Sequence, residues 1–502
     1  MKVVAFRLLL LLTLCCSGAL GQGFTPTGSM NLARTEHRAV LLPSGLVLVT
    51  GGGTPGGYTN TAELYDPKTG TWRYTKSAMN VARAHHSATL LADGRVLVAG
   101  GGNSSGSLTS CEIFDPASES FVFTGSLSMA RQGHQAAALT DGRVMAIAGG
   151  SSAAPCCAVA SAEVYNPSTG TWAWTAPVPT FGPGTISPGY TNHAVTLLPD
   201  GKVFMTGGYD GYTLAVSSAV LRYDPAANTW QVLSPMNSPR NQHTATTLLD
   251  GKVLIVAGRL PSSLASFTST EIYDPAALPN GISTPGAPLA GVGRANHAAT
   301  LLGDGRVLVT GGAEYVGSGC CYIGNSSAQL FAPAAGTWTE VGPMTSARAF
   351  HTATRLPSGA VLIAGGFSQD LGWGNTTVLS SAELWGASIT VAIDIKPGSY
   401  PNTINLGSGG TVPVAIFSTA SFDARTVDPL SVTLASAPVR LKGNGTPMSS
   451  AEDVNGDGNL DLVVHVTTQA LQLSETDTEA ILTGHTFDGK TIQGRDTIRV
   501  LP

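Results

Sequence analysis

Charge is scarce in this chain. Only 12% of its 502 residues are Asp, Glu, Lys or Arg, the net charge is −5 and no basic block occurs, so nothing offers an electrostatic footprint for nucleic acid or an anionic membrane. Beyond the N-terminus no apolar run is long enough to span a bilayer. Cysteine is sparse as well, with seven in all. What the chain has in quantity is Gly (61) and Pro (30), a composition that suits many short strands joined by tight turns. At 43% hydrophobic content and this length, the chain is expected to form two or more domains.

The first residues, "MKVVAFRLLLLLTLCCSGALGQG", place Lys2 and Arg7 before an apolar stretch from Leu8 to Leu14, with Ala19-Leu20-Gly21 offering small residues for cleavage. This predicts a secretory signal peptide over residues 1–21 and a secreted, extracellular protein. Leu14 and Cys15 fit poorly as the small residue expected before a lipidated Cys, which argues against a lipid anchor.

A histidine recurs at positions 37, 86, 134, 193, 243, 297 and 351. Each is followed by a turn such as Asp93-Gly94 and by an apolar strand such as "VLVAGG". After a loop of variable length comes "AELYDPKTGTW" or a relative of it. A period of about 50 residues signals stacked supersecondary units, so these histidines are structural before they are catalytic. The double glycine Gly51-Gly52, then Glu63, Tyr65, Asp66-Pro67 and Trp72, resemble the kelch repeat, and the resemblance covers residues 24–386. It implies a seven-bladed β-propeller over residues 22–387, each repeat a four-stranded blade. Asp-Gly is expected to make a two-residue hairpin between the first two strands, and Asp-Pro a type I turn between the last two.

The seventh copy ends at Trp385 without a final Trp-bearing strand, while "GFTPTGSM" (23–30) matches "TWTEVGPM" (337–344). The N-terminal strand is therefore expected to complete the last blade and close the ring. Arg34, Arg83, Arg131, Arg240 and Arg348 occur together with Glu63, Glu112, Glu163, Glu271 and Glu383. In the fourth copy both become Tyr190 and Leu221, and the sixth has Arg294 with Gln329. The covariation predicts a half-buried Arg–Glu pair in each blade, Gln329 still accepting a hydrogen bond.

With architecture accounting for the regular positions, ligand contacts are sought in the variable loops on one face. Those loops are rich in Gly, Ser, Thr and Asn and carry Tyr58, Tyr209, Tyr212, Phe267, Tyr315, Tyr322 and Trp373, flat rings suited to sugars or extended protein segments. The long third-to-fourth link adds Trp174 and Phe181. Cys156-Cys157 and Cys320-Cys321 fall in equivalent loops and are expected to form disulfides, a vicinal ring being strained. Cys111 is expected to be a buried free thiol.

Galactose oxidase and its relatives use such a propeller with copper held by two Tyr and two His, one Tyr cross-linked to a Cys. This sequence has no Tyr-His pair, and its C-terminal region does not resemble the domain that supplies a copper His there.

From Val391 the repeat gives way to "VAIDIKPGSYPNTINLGSGGTVPVAIF", and short alternating strands predict a separate β-sandwich over residues 388–502. Within it, "DVNGDGNLDL" sets out Asp453, Asn455, Asp457 and Asp461 as side-chain oxygen donors and Asn459 as a carbonyl donor, like the first part of an EF-hand loop. The final bidentate Glu and flanking helices are missing, so a calcium loop between strands is expected. The pattern from "IDIKPGS" to "LTGHTFDG" resembles a domain at the C-termini of bacterial secreted proteins, which implies an accessory module.

The fold class is thus all-β, a seven-bladed kelch propeller closed by an N-terminal strand and followed by a C-terminal β-sandwich. The expected function is non-catalytic recognition of an extracellular carbohydrate or protein, with calcium as cofactor and no nucleic acid or membrane span. The alternative is a secreted propeller enzyme, a galactose-oxidase-like copper oxidase or another carbohydrate-active enzyme.

Overall fold

The computed structural model describes residues 23–152, 159–179, 191–209, 215–260, 266–277, 279–316, 321–370, 376–386, 388–419, 422–487 and 491–501. The chain divides into two compact units, one ending at Ser388 and the other running from Ile389. No helix among the described residues is long and apolar enough to cross a membrane.

Among the described residues the first unit contains eight four-stranded antiparallel sheets, seven of which follow the repeat. Sheet one runs Arg38–Leu41, Val47–Thr50, Ala62–Asp66 and Thr71–Tyr74, and the next five repeat that order. The first strand of each sheet packs beside the first strand of the next, and the series from Arg38–Leu41 round to Thr352–Arg355 returns to its start. The sheets therefore form a closed ring with their first strands around the axis. All seven second strands are fully buried, which is why each reads as an unbroken apolar run. Sheet seven takes its outer strand from the start of the unit, with Phe24 opposite Trp385 and Thr27 opposite Ala382.

The hairpin after the repeat histidine has three residues in its loop rather than the expected two. In sheet two the Leu91 N–H donates to Arg95 O and the Gly94 N–H to Leu91 O, with Gly94 at φ +86°. The Asp93 carboxylate accepts from the Arg95 N–H, so it closes a turn that ends in a left-handed glycine bulge. Between the outer strands, Asp66 Oδ1 accepts from the Lys68 N–H and Asp66 O from the Gly70 N–H, around a four-residue loop.

Neighbouring sheets are tied by the repeat tryptophan. Trp72, Trp172, Trp230 and Trp338 pack against Tyr65, Tyr165, Tyr223 and Phe331 at 4.9–5.2 Å between centroids. Each indole N–H donates to a carbonyl just past the outer strand of the preceding sheet, Gly28, Gly125, Ala176 and Ala287 in turn.

In the second unit a five-stranded sheet (Ser388–Thr390, Val427–Leu434, Ala437–Pro438, Glu479–Thr486, Thr491–Thr497) and a four-stranded sheet (Ile393–Ile395, Thr411–Ile416, Ser449–Glu452, Asp461–Thr467) share one hydrophobic cluster. Val414, Ile416, Val432, Leu434, Val464, Leu482 and Ile492 lie fully buried in it.

Candidate functional site

The repeat histidines are locked into the walls of the ring. His86 Nε2 lies 2.8 Å from Thr50 Oγ1, and His37, His134, His243, His297 and His351 make the same contact with a Thr or Ser of the preceding sheet at 2.8–3.1 Å. Burial, aided by neighbouring arginines, pushes their pKa values well below the usual histidine value, that of His297 to about 3, so they stay neutral. The second glycine of each pair makes room for them: at Gly101 (φ +95°) a Cβ would lie 2.8 Å from His86 Cβ.

The Arg–Glu pairs are wholly buried, not half-buried. Arg34–Glu63, Arg83–Glu112, Arg131–Glu163, Arg240–Glu271 and Arg348–Glu383 meet at 2.5–2.8 Å with at most 3% of either side chain exposed. Each guanidinium also donates to two backbone carbonyls, and each carboxylate accepts backbone N–H groups of the strand-to-strand link, as Glu112 does from Asn80 and Val81. Every charge is thereby hydrogen-bonded on several sides, as burial requires. Gln329 does not take over the role of acceptor from arginine: it exchanges hydrogen bonds with the backbone of Ala290, while Arg294 binds Gly311 O, Ser327 O and Ser327 Oγ. Without a carboxylate beside it, the buried Arg294 has its pKa pushed down to about 10.

One position earlier than each histidine stands a second ring. Glu36, His85, Gly133, Asn192, Gln242, Asn296 and Phe350 all adopt left-handed backbone, φ between 52° and 63°. Six of the seven carry a side chain, a conformation that costs roughly 1–2 kcal/mol per residue. Backbone bonds around the axis hold them there: Glu36 N–H donates to Phe350 O, His85 to Glu36, Gly133 to His85, Gln242 to Asn192, Asn296 to Gln242 and Phe350 to Asn296, at 2.8–3.2 Å. The ring lies on the face of the variable loops, because the residue before each member pairs with the start of a loop, as Thr35 does with Gly53 and Ala349 with Phe367.

These side chains surround an axial cavity of about 330 Å3 together with Arg38 and Gln135. Glu36 Oε2 and His85 Nε2 pair at 2.9 Å across its rim, and burial lowers the pKa of Arg38. Two amide atoms on the ring, Gln242 Oε1 and Asn296 Nδ2, are buried without a hydrogen-bond partner among the described residues. Phe350 stacks on Phe367 at 5.5 Å, and Phe367 meets Tyr322 edge-on at 6.3 Å.

Phe367 opens a further sheet that the repeat pattern does not contain. The loops of sheets six and seven join as Ala313–Val316, Cys321–Gly324, Phe367–Asp370 and Thr376–Val378, with Tyr322 opposite Asp370. Tyr315 is opposite Tyr322 in this sheet, so two of the expected ligand aromatics share one element. The others stand apart. Tyr58 is exposed on a short hairpin, Tyr209 is bridged to Thr191 and Val216, and the Phe267 ring lies 5.6 Å from the buried Arg240 guanidinium. Tyr212, Trp373, Phe181, Cys156, Cys157 and Cys320 lie outside the described residues. Cys111 is a buried free thiol, its pKa pushed up to about 11 by burial.

In the C-terminal unit, Asp453 Oδ1 accepts from the N–H groups of Gly456 and Asp457, and Oδ2 from Gly458. Asp461 is wholly buried and binds the Ser418 and Val454 N–H groups, fastening the loop to its strand. Asn455 Nδ2 donates to Asp457 Oδ2. Among the described residues no group of three or more His, Cys, Asp or Glu is placed to hold a metal ion.

Comparison with known proteins follows the repeats. Residues 21–208 match a family model described as the KLHDC2/KLHL20/DRC7 Kelch-repeats domain, and residues 191–237 match the Kelch motif. No curated protein matches. Among solved structures, a fungal alcohol oxidase of the AA5 family in complex with copper aligns over 96% of this chain and all of its own, at 16% identity and a TM-score of 0.59. The structure of YjhT aligns over 71% of this chain and 96% of its own, at 15% identity and a TM-score of 0.45. At such identity the likeness to the oxidase speaks for fold alone. With a histidine, a buried Arg–Glu pair and a bridging tryptophan recurring in register, and family models matching the same repeats, the first unit is a kelch-repeat β-propeller.

Proposed function

We propose that this is a secreted recognition protein that binds a neutral carbohydrate in the mouth of its axial channel, on the face of the variable loops. The observation that carries the reading is the left-handed ring: strained backbone holds Asn192, Gln242 and Asn296 around one cavity, and leaves Gln242 Oε1 and Asn296 Nδ2 without partners among the described residues. Carboxamides both donate and accept, which suits the vicinal hydroxyls of a sugar. Phe350, backed by Phe367 and Tyr322, supplies an aromatic surface at the same rim. The lining carries one carboxylate and one guanidinium, Glu36 and Arg38, which offset each other, and Glu36 is also hydrogen-bonded to His85, so a net charge on the ligand is not called for. The leader from Lys2 to Gly21 supports secretion. The "DVNGDGNLDL" loop supports calcium as a stabiliser of the second unit, with Asp453, Asn455, Asp457 and the Asn459 carbonyl as ligands and Asp461 as the anchor that shapes the loop.

The oxidase neighbour is a copper protein, but the lining of this cavity does not fit copper of that kind. Among the described residues it contains no Tyr or Cys, its one histidine outside the repeat register, His85, is paired with Glu36, and the Nε2 atoms of His243, His297 and His351 contact threonines.

The test is binding of the purified chain to a panel of soluble glycans and polysaccharides by isothermal titration. Saturable binding that falls about tenfold or more in Gln242→Ala and in Asn296→Ala, each removing one polar contact, is expected. Silence across the panel from a folded chain, or binding indifferent to both substitutions, refutes the sugar site and turns attention to a protein partner.

A further inference from the structure

A second cluster of oxygens in the C-terminal unit stands away from the "DVNGDGNLDL" loop. Asp394 lies between the buried Ile393 and Ile395 on the first strand of the four-stranded sheet, and Asp496 near the end of the strand Thr491–Thr497. Both line one surface cavity with Ser399, Tyr400 and Asn402. Asp496 is held in place by three donors: Oδ2 accepts from the Ile395 N–H and from Asn402 Nδ2, and Oδ1 from the Thr497 N–H. Asp394 is close enough that Asp496, after burial itself, pushes its carboxyl pKa upward. No cation answers this pair among the described residues. Lys396, two residues from Asp394, sends its Nζ to Thr403 O instead.

The amide of Asn402 gives an independent sign of a missing group. The residue is 5% exposed, and its Nδ2 is committed to Asp496 Oδ2 and Thr497 O. Its Oδ1 is buried and accepts from no donor among the described residues. A buried acceptor left without a donor is costly, so the site favours a group that can meet this oxygen. A cation in this cavity would offer both carboxylates and the amide oxygen a common partner.

We propose that Asp394, Asp496 and Asn402 Oδ1 form a binding site for a hard divalent cation of the calcium class, distinct from the "DVNGDGNLDL" loop. Carboxylate and amide oxygens with no nitrogen or sulfur donor favour such an ion over zinc or copper. The ion would clasp one strand from each sheet, Ile393–Ile395 and Thr491–Thr497, which lie near opposite ends of the unit in sequence.

The experiment uses the full chain carrying Asp453→Asn and Asp457→Asn, which disables the exposed loop, and follows calcium chloride binding by isothermal titration and the melting transition in calcium against EDTA. One equivalent of calcium and a higher melting temperature in calcium are expected. Adding Asp394→Asn is expected to weaken binding about tenfold or more and to remove that rise. In EDTA this variant should melt no lower than its parent, since it relieves repulsion between two carboxylates. Asp496→Asn discriminates less well, because it also loosens three structural hydrogen bonds. Absence of calcium binding in the loop-disabled chain, or binding that Asp394→Asn weakens by less than that, overturns the site.

Discussion

Six of the seven repeat histidines meet one hydroxyl of the preceding sheet, and the chain supplies it from either of two positions. In sheets one, four and six the second strand ends in Thr50, Thr206 or Thr310, and the residue after the repeat histidine is Arg38, Ala194 or Ala298. In sheets two, five and seven the strand ends in Ala99, Val256 or Ala364, and Ser87, Thr244 or Thr352 follows the histidine instead. In these six sheets, where one position lacks the hydroxyl the other has it; in sheet three, ahead of His193, the two positions hold Ile147 and Gln135. Thr310→Val keeps the shape of a fully buried side chain but leaves His351 Nε2 without a partner, so it should destabilise the propeller by about 1–3 kcal/mol. Ala298→Ser in the same chain should return much of that loss, measured as the coupling in a double-mutant cycle of denaturant unfolding. Simple additivity of the two substitutions would show that the hydroxyls are not interchangeable.

Strands and turns were legible in the sequence to the extent that they obey the repeat. The closing strand is an example, because "GFTPTGSM" preserves the pattern of an outer strand that sheet seven lacks, and Phe24–Thr27 pairs with Ala382–Trp385. Deleting residues 22–30 exposes the edge of Ala382–Trp385 and removes the partner of Tyr65, whose hydroxyl lies 2.8 Å from Thr27 Oγ1. The melting temperature of the whole propeller should fall, since a ring opened at one joint loses contacts on both sides of it; an unchanged transition would mean the strand only decorates the last sheet. Elements that break the repeat were not legible. The added sheet at Phe367–Asp370 comes from two loops far apart in sequence, whose pairing no local turn signal announces. The left-handed ring escaped notice for a related reason: its members are Glu, His, Gly, Asn, Gln, Asn and Phe, so the position is fixed by the backbone while its residue type is free. The signal lay in the spacing, one residue before an invariant histidine, and not in any residue type. The hairpin loop was one residue longer than expected because Asp93 caps Arg95, and the Asp-Gly pair alone does not reveal that bulge.

On the scale of the whole molecule, the same neutral histidines that brace the ring make it sensitive to acid. His37, His86, His134, His243, His297 and His351 have folded-state pKa values below their unfolded value of about 6.5. As pH falls below 6.5 the unfolded chain binds protons that the folded chain refuses, so stability declines; above 6.5 both states are neutral and the term vanishes. The decline continues down to the folded-state values, about 3 for His297. A histidine that is protonated in the unfolded chain and neutral in the folded one contributes up to about 1.4 kcal/mol per pH unit, and six share the same direction. Set against a total stability on the order of 5–15 kcal/mol, a term of this sign repeated round the ring should make the propeller lose stability progressively as pH falls below 6.5. Tryptophan fluorescence and calorimetry across that range should give a melting temperature that drops steeply below pH 6.5, with several protons taken up per molecule on unfolding. A flat profile down to pH 4 would mean that the histidines accept protons in place, and that their bonds to Thr and Ser do not hold the ring as the geometry implies.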